Sequence, residues 1–88
     1  MVPVKLYTTA WCPFCHAAKA LLDSKGVSYE EIPIRKGSEE WAELTAITQM
    51  FTVPQIFVDG QLVGGFDELR QLDREGRLDA LLRIADSA

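Results

Sequence analysis

The sequence has few of the residues on which several classes of protein depend. Two of its 88 residues are cysteines and one is a histidine, whereas a structural zinc site usually takes four such ligands. We therefore expect no metal within one chain and leave open a metal shared by two chains. The longest basic run is Arg35-Lys36 and the formal charge is -4. We therefore expect no nucleic-acid partner, since such binding depends on clusters of basic residues.

Long apolar runs are also absent. No segment approaches the roughly 20 apolar residues of a membrane-spanning helix, so we expect no membrane partner. The first ten residues have neither the basic start nor the apolar stretch of a signal peptide. We expect a cytoplasmic, monomeric protein, or a mature product whose targeting segment has been removed.

The composition is ordinary for a globular protein, with 48% hydrophobic and 25% charged residues. There is no internal repeat, low-complexity tract or linker. At this length the chain is large enough to fold alone with a modest core. We therefore predict a single domain over residues 1–88.

Hydrophobic periodicity predicts strands and helices in alternation. Residues 4–7 read as a strand, and a helical period starts at Phe14, with Pro13 in its first turn and Gly26 at its end. Residues 27–34 read as a second strand. Ser38 is expected to cap a second helix, whose apolar face would comprise Trp41, Leu44, Ile47 and Phe51.

The second half predicts a hairpin followed by two helices. Strands over 54–58 and 62–65 flank Asp59-Gly60, a strong turn signal. Helices are predicted over 66–73 and 77–85. The order β-α-β-α-β-β-α-α fits an α/β, thioredoxin-like fold, a four-stranded mixed sheet flanked by helices, and a right-handed crossover makes its first two strands parallel.

The two cysteines are separated by only two residues. A disulfide between them would close a very small loop and would restrict the unfolded chain little. Cys12 lies just before the helix that Pro13 opens, where backbone N–H groups and the helix dipole favour a thiolate. We therefore predict a redox pair, in which Cys12 is the nucleophile and Cys15, more covered, is the resolving thiol.

The neighbours of the pair carry weaker expectations. Phe14 can offer apolar contact to a bound peptide, whereas Trp11 is expected to pack and Tyr7 to lie in the core. His16 and Lys19 could each stabilise a thiolate, but we expect both to face solvent.

Three motifs, "CPFC", "TVP" and "GGFD", occur in the order and spacing of one family. Through these motifs and the residues that flank them, the chain resembles the short dithiol glutaredoxins of bacterial type over nearly its whole length. The resemblance implies a glutathione-dependent oxidoreductase whose partners are glutathione and disulfide-bonded or glutathionylated proteins.

The resemblance also implies a glutathione site. Pro54 would be a cis-proline facing the thiols, and the backbone of Val53 would pair with glutathione like an added strand. Asp67 would bind the ammonium of the γ-glutamyl group, and the N-terminal amides of the helix would bind its carboxylate. The alternative for Asp67 is a plain helix N-cap, and both roles can hold together. The implied glutathione-binding residues are Phe14, Thr52, Val53, Pro54, Gly65, Phe66 and Asp67.

The chain departs from the family at basic or amide positions. Thr9 stands where a lysine is common, and Met50 and Phe51 stand where a basic or amide residue often precedes "TVP". Such residues bind the glycine carboxylate of glutathione. Substitutes could be Arg35, Lys36 or Gln49.

Two other functions stay open at the level of sequence. The missing basic residues are compatible with a redoxin that thioredoxin reductase serves, although "GGFD" opposes it. A [2Fe–2S] carrier would use Cys12 and glutathione from two chains. Pro13 and the absence of a "CGFS" motif oppose this carrier.

Overall fold

The computed structural model describes residues 2–83, in which the strands and helices follow the predicted order. The second strand is shorter than the predicted 27–34, since it covers only Glu30–Pro33. Residues 84–85 of the last predicted helix lie outside the described part. The elements are β1 Val4–Thr8, α1 Pro13–Ser24, β2 Glu30–Pro33, α2 Glu39–Thr48, β3 Gln55–Val58, β4 Gln61–Gly64, α3 Phe66–Arg74 and α4 Leu78–Leu82.

The four strands form one mixed sheet in the order β2-β1-β3-β4. β1 pairs with β2 in parallel, as the predicted crossover requires. β3 runs antiparallel to β1 and to β4. Asp59 and Gly60 both have positive φ, 54° and 80°, which is the backbone of a tight hairpin turn between β3 and β4. The predicted thioredoxin-like fold is confirmed.

One apolar cluster joins the sheet to three of the helices. α1, α3 and α4 each bury leucines in it, and α2 contributes none of its residues. Alternate residues of β1 point into the cluster, as the pleat of a strand dictates. The cluster comprises Val2, Val4, Leu6, Ala18, Leu22, Val27, Ile56, Val58, Leu69, Leu78 and Leu82.

The predicted apolar face of α2 is confirmed at Leu44, which is buried, and at Trp41, which is half-buried, but it is wrong at Ile47 and Phe51. Ser38 does cap the helix, since its hydroxyl accepts a hydrogen bond of 3.2 Å from the Trp41 N–H. The helix ends at Thr48, however, because Gln49 takes a left-handed conformation. Phe51 therefore lies off the helical period and is 67% exposed, and Ile47 is 77% exposed. Within residues 2–83, no helix has the length and apolar character to cross a bilayer.

Candidate active site

Cys12 is the residue from which α1 begins. Its backbone is extended and Pro13 is the first helical residue, because proline needs no N–H partner there. The Cys12 sulfur accepts a hydrogen bond of 3.1 Å from the Cys15 N–H. A negative charge on this sulfur would be stabilised by that amide and by the helix dipole. The position therefore favours a thiolate and a reactive cysteine.

The two cysteines form a disulfide across the first turn of α1. Their Cα atoms are 5.1 Å apart, so one helical turn brings both sulfurs together without moving the backbone. Cys12 is 7% exposed and Cys15 is 2% exposed. Cys12 is thus the more accessible cysteine, and Cys15 the more covered one, as the sequence predicts.

The loop that leads into β3, the strand beside β1, faces Cys12. The Val53-Pro54 bond is cis, as the resemblance implies. The Cys12 sulfur lies 3.8 Å from the carbonyl oxygen of Val53. The loop before β3 thereby meets the start of α1, although the two segments are far apart in the sequence.

Gln55 holds this loop in place, and sequence reasoning missed it. Its side chain is fully buried, and its amide nitrogen donates hydrogen bonds of 3.1 Å to the carbonyls of Met50 and Thr52. Within the described residues, its side-chain oxygen has no hydrogen-bond partner. The available signal was an amide residue at the head of the apolar run "QIFV", directly after Pro54.

A groove of about 390 Å³ extends from this loop. The ring of Phe14 stacks on the ring of Phe66 at 6.2 Å between centroids and forms one wall. All the residues that the resemblance implies for glutathione line this groove, and Met50 and Glu68 join them. The lining residues are Phe14, Met50, Thr52, Val53, Pro54, Gly65, Phe66, Asp67 and Glu68.

The N-terminus of α3 closes one end of the groove. Gly65 is the N-cap of this helix, so the alternative reading of Asp67 as a helix cap is wrong. The Gly65 N–H donates a hydrogen bond of 2.6 Å to the carboxylate of Glu68. The Asp67 carboxylate is 78% exposed and lies 3.7 Å from the Arg70 guanidinium. Asp67 can therefore turn toward a ligand at little cost in lost contacts.

Lys19 does not reach the thiols, because it is paired elsewhere. Its ammonium lies 3.2 Å from the carboxylate of Glu31, which also accepts a hydrogen bond of 2.9 Å from the Thr8 hydroxyl. The Thr8 hydroxyl, followed by Lys19, lowers the pKa of Glu31 below its usual value. The prediction that Lys19 faces solvent is thus only partly met, whereas His16 is exposed as predicted.

Trp11 does not pack, contrary to expectation. Its side chain is 97% exposed and its φ of 59° lies in the left-handed region. The turn between β1 and Cys12 therefore directs this side chain away from the core. Tyr7 also lies outside the apolar cluster, contrary to expectation. It is half-buried on the other face of β1, with its ring edge-on to that of Phe57 at 5.7 Å between centroids.

Neither the residues at the atypical positions nor their possible substitutes bring a positive charge to the groove. Met50 lines the groove, and the described lining contains no lysine or arginine. Thr9, Arg35 and Lys36 line a separate hollow. The Gln49 side chain donates a hydrogen bond of 3.0 Å to the Ala46 carbonyl.

Residues 2–83 contain no group of three histidine, cysteine or carboxylate side chains that could hold a metal ion.

Comparisons with known proteins identify relatives of the chain. The family model described as "Glutaredoxin" matches residues 4–63. Glutaredoxin 3 of Escherichia coli K12 is 49% identical over 94% of this chain and 100% of its own length. A glutaredoxin of Pseudomonas aeruginosa is 51% identical over 93% of this chain and 98% of its own. The crystal structure of a buckwheat glutaredoxin–glutathione complex has a TM-score of 0.85 and 29% identity, covering 93% of this chain and 77% of that one.

Proposed function

The chain belongs to the glutaredoxin family, and on this premise we propose that Cys12 attacks the substrate and Cys15 resolves the mixed disulfide. The chain is a glutathione-dependent thiol–disulfide oxidoreductase. The position of Cys12 at the start of α1, and its greater exposure, support its role as the attacking thiol.

With a protein disulfide, the reaction uses both thiols. The Cys12 thiolate attacks one sulfur of the substrate, and the other substrate cysteine leaves as a thiolate. The Cys15 thiolate then attacks the Cys12 sulfur, which releases the second substrate thiolate and forms the Cys12–Cys15 disulfide. Two glutathione molecules return the pair to dithiol and are oxidised to glutathione disulfide.

With a glutathionylated protein, Cys12 is sufficient. Its thiolate attacks the sulfur of the bound glutathione, and the protein cysteine leaves as a thiolate. A second glutathione then attacks the glutathione half of the Cys12 mixed disulfide. Cys12 is released, and glutathione disulfide leaves.

We place glutathione in the groove beside Val53. The backbone N–H and C=O of Val53 would pair with its cysteinyl unit, while Thr52 and Pro54 shape the same edge. Asp67 would meet its ammonium, and the amides at the start of α3 its γ-glutamyl carboxylate. Phe14, Gly65 and Phe66 would supply the remaining wall.

One contact carries this proposal. The Cys12 sulfur lies 3.8 Å from the Val53 carbonyl, and Val53 also lines the groove. A tripeptide paired with the Val53 backbone would therefore have its own cysteine beside the reactive sulfur. We also propose that the protein forms one domain over residues 1–88, which the continuous cluster from Val2 to Leu82 supports. A cytoplasmic location and a monomeric state are further proposals.

The electron donor is the decisive test. Reduction of the mixed disulfide of glutathione and 2-mercaptoethanol is followed through NADPH oxidation, with glutathione and glutathione reductase or with thioredoxin reductase alone. We expect turnover only in the glutathione-coupled assay. Turnover with thioredoxin reductase alone would contradict the proposal.

A further inference from the structure

Trp11 is the most exposed large apolar side chain in the described part of the chain, although it directly precedes Cys12. Its φ of 59° is a conformation that bulky residues rarely adopt, because it strains the backbone. The fold thus holds an aromatic ring in water, next to its reactive sulfur, at the expense of stability. Exposed tryptophans of this kind are frequent anchors in protein–protein contacts.

Trp11 forms part of a hollow of about 720 Å³ between the turn before Cys12 and the loop after β2. This hollow, which we call the Trp11 surface, shares no lining residue with the groove. The Ile34 N–H donates a hydrogen bond of 2.8 Å to the Thr8 carbonyl and ties the loop to the end of β1. The Trp11 surface is lined by Thr9, Ala10, Trp11, Pro33, Ile34, Arg35, Lys36, Ser38 and Glu40.

The charge on the Trp11 surface is opposite to that of the whole chain. Arg35 and Lys36 are exposed there, and neither makes an ion pair within residues 2–83. Glu40 is the acidic residue in this lining. The chain as a whole has a formal charge of -4. An acidic partner would therefore be repelled by most of the molecule and attracted to this surface.

We propose that the Trp11 surface docks polypeptide substrates that carry acidic residues beside their disulfide or glutathionylated cysteine. This proposal deepens the proposed thiol exchange and rests on it. While glutathione occupies the groove, the rest of a glutathionylated substrate must leave Cys12 over another face. The Trp11 surface adjoins Cys12, and it offers the substrate the apolar ring of Trp11 and the cations of Arg35 and Lys36. The exchange reaction itself is unchanged: Cys12 takes the glutathione and the substrate leaves as a thiolate.

The test uses two glutathionylated peptides that differ only in having Asp or Lys on both sides of the cysteine. The measured quantity is the ratio of kcat/KM for the Asp peptide to that for the Lys peptide, which cancels effects common to both. We expect the wild-type protein to favour the Asp peptide about tenfold at low salt and less at high salt. Arg35→Glu should lower the ratio about fivefold, and its control Arg74→Glu, which makes the same charge change elsewhere, should leave the ratio near the wild-type value.

Trp11→Ala should lower kcat/KM for both peptides several-fold, compared with Ile47→Ala, which removes another exposed apolar side chain. A ratio near one in the wild type, or equal ratios in Arg35→Glu and Arg74→Glu, would overturn the docking proposal.

A binding measurement separates this proposal from the proposed function. The indole N–H resonance of Trp11 is followed by NMR while the Asp peptide, with serine in place of cysteine, is added. A shift that saturates at a lower concentration of the Asp peptide than of the Lys peptide supports docking even if glutathione-coupled turnover were absent. No shift with either peptide, together with normal turnover of the small mixed disulfide, would contradict docking and leave the proposed function intact.

Discussion

The Cys12 sulfur lies 3.8 Å from the carbonyl oxygen of Val53, a residue 41 positions further along the chain. This contact places the reactive sulfur at the edge of the groove. It brings together the start of α1 and the loop before β3, which are far apart in the sequence. A ligand that pairs with the Val53 backbone is thereby aligned with Cys12.

The two cysteines should have separable roles. Cys12→Ser is expected to abolish all activity, because a hydroxyl is a far weaker nucleophile than a thiolate. Cys15→Ser should retain deglutathionylation and lose reduction of protein disulfides, since only the latter needs the resolving thiol. Glutathione-coupled assays on one substrate of each kind check both expectations. Activity in a folded Cys12→Ser protein would contradict the assignment.

Asp67→Asn should weaken glutathione binding. Its carboxylate is exposed at the groove, where a contact with an ammonium group contributes about 0.2–1 kcal/mol. The KM for the small glutathione mixed disulfide should rise up to about fivefold, with kcat nearly unchanged. Glu43→Gln, on an exposed position of α2 outside the groove, is the control. Equal KM values for the two variants would remove Asp67 from the site.

Gln55→Leu should loosen the loop that presents Val53. The change removes two partly buried hydrogen bonds to the Met50 and Thr52 carbonyls and should lower the free energy of unfolding by about 1–2 kcal/mol. The KM for the glutathione mixed disulfide should rise several-fold, because the backbone edge is less well ordered. Urea unfolding and steady-state kinetics measure the two effects. Gln61→Leu, at an exposed position of β4, serves as the control. An unchanged KM in Gln55→Leu would show that Gln55 contributes to stability alone.

Glu31→Gln should reduce stability in a pH-dependent way. The Thr8 hydroxyl and Lys19 lower the pKa of Glu31 in the folded protein, so its stabilising effect is present above the unfolded pKa and is lost as the pH falls through the folded one. We expect about 0.5 kcal/mol of destabilisation at pH 7, disappearing in acid. Urea unfolding between acidic and neutral pH measures it, with Glu30→Gln as control. A difference independent of pH would argue against the ionised carboxylate.

Lys25→Met should destabilise the contact between α1 and the last two helices. The Lys25 ammonium lies 2.6 Å from Asp73 and 2.9 Å from Asp79, and its hydrogen bond to Asp73, followed by that to Asp79, raises the pKa of Lys25. The stabilisation is therefore complete at neutral pH and lost only as the pH rises through the raised value.

We expect a loss of about 1 kcal/mol for Lys25→Met at pH 7 that shrinks at high salt. Lys5→Met, on an exposed position of β1, is the control in the same urea unfolding series. A larger loss at high salt would refute an electrostatic origin.

Local sequence determined most of the fold. Periods of two and 3.6 residues, Pro13 at the first helical position and Asp59-Gly60 in the hairpin act within a few residues of each other, so they can be read directly. The same holds for Cys12 at the start of α1, because a helix N-terminus is defined by its own residues. Phe51 does not share the apolar face of α2, because the left-handed Gln49 ends the helix before it.

Only the tertiary structure decided which distant residues meet at the sulfur. The bonds from Gln55 to the loop carbonyls, the entry of Met50 and Glu68 into the groove and the exposure of Trp11 have no periodic signal. The first two depend on how the loop before β3 and the start of α3 come together at the groove, and the third depends on the left-handed backbone of Trp11 in the turn before Cys12. The sequence by itself therefore determined the elements and the reactive pair, whereas the packing of the sheet determined which surfaces surround that pair.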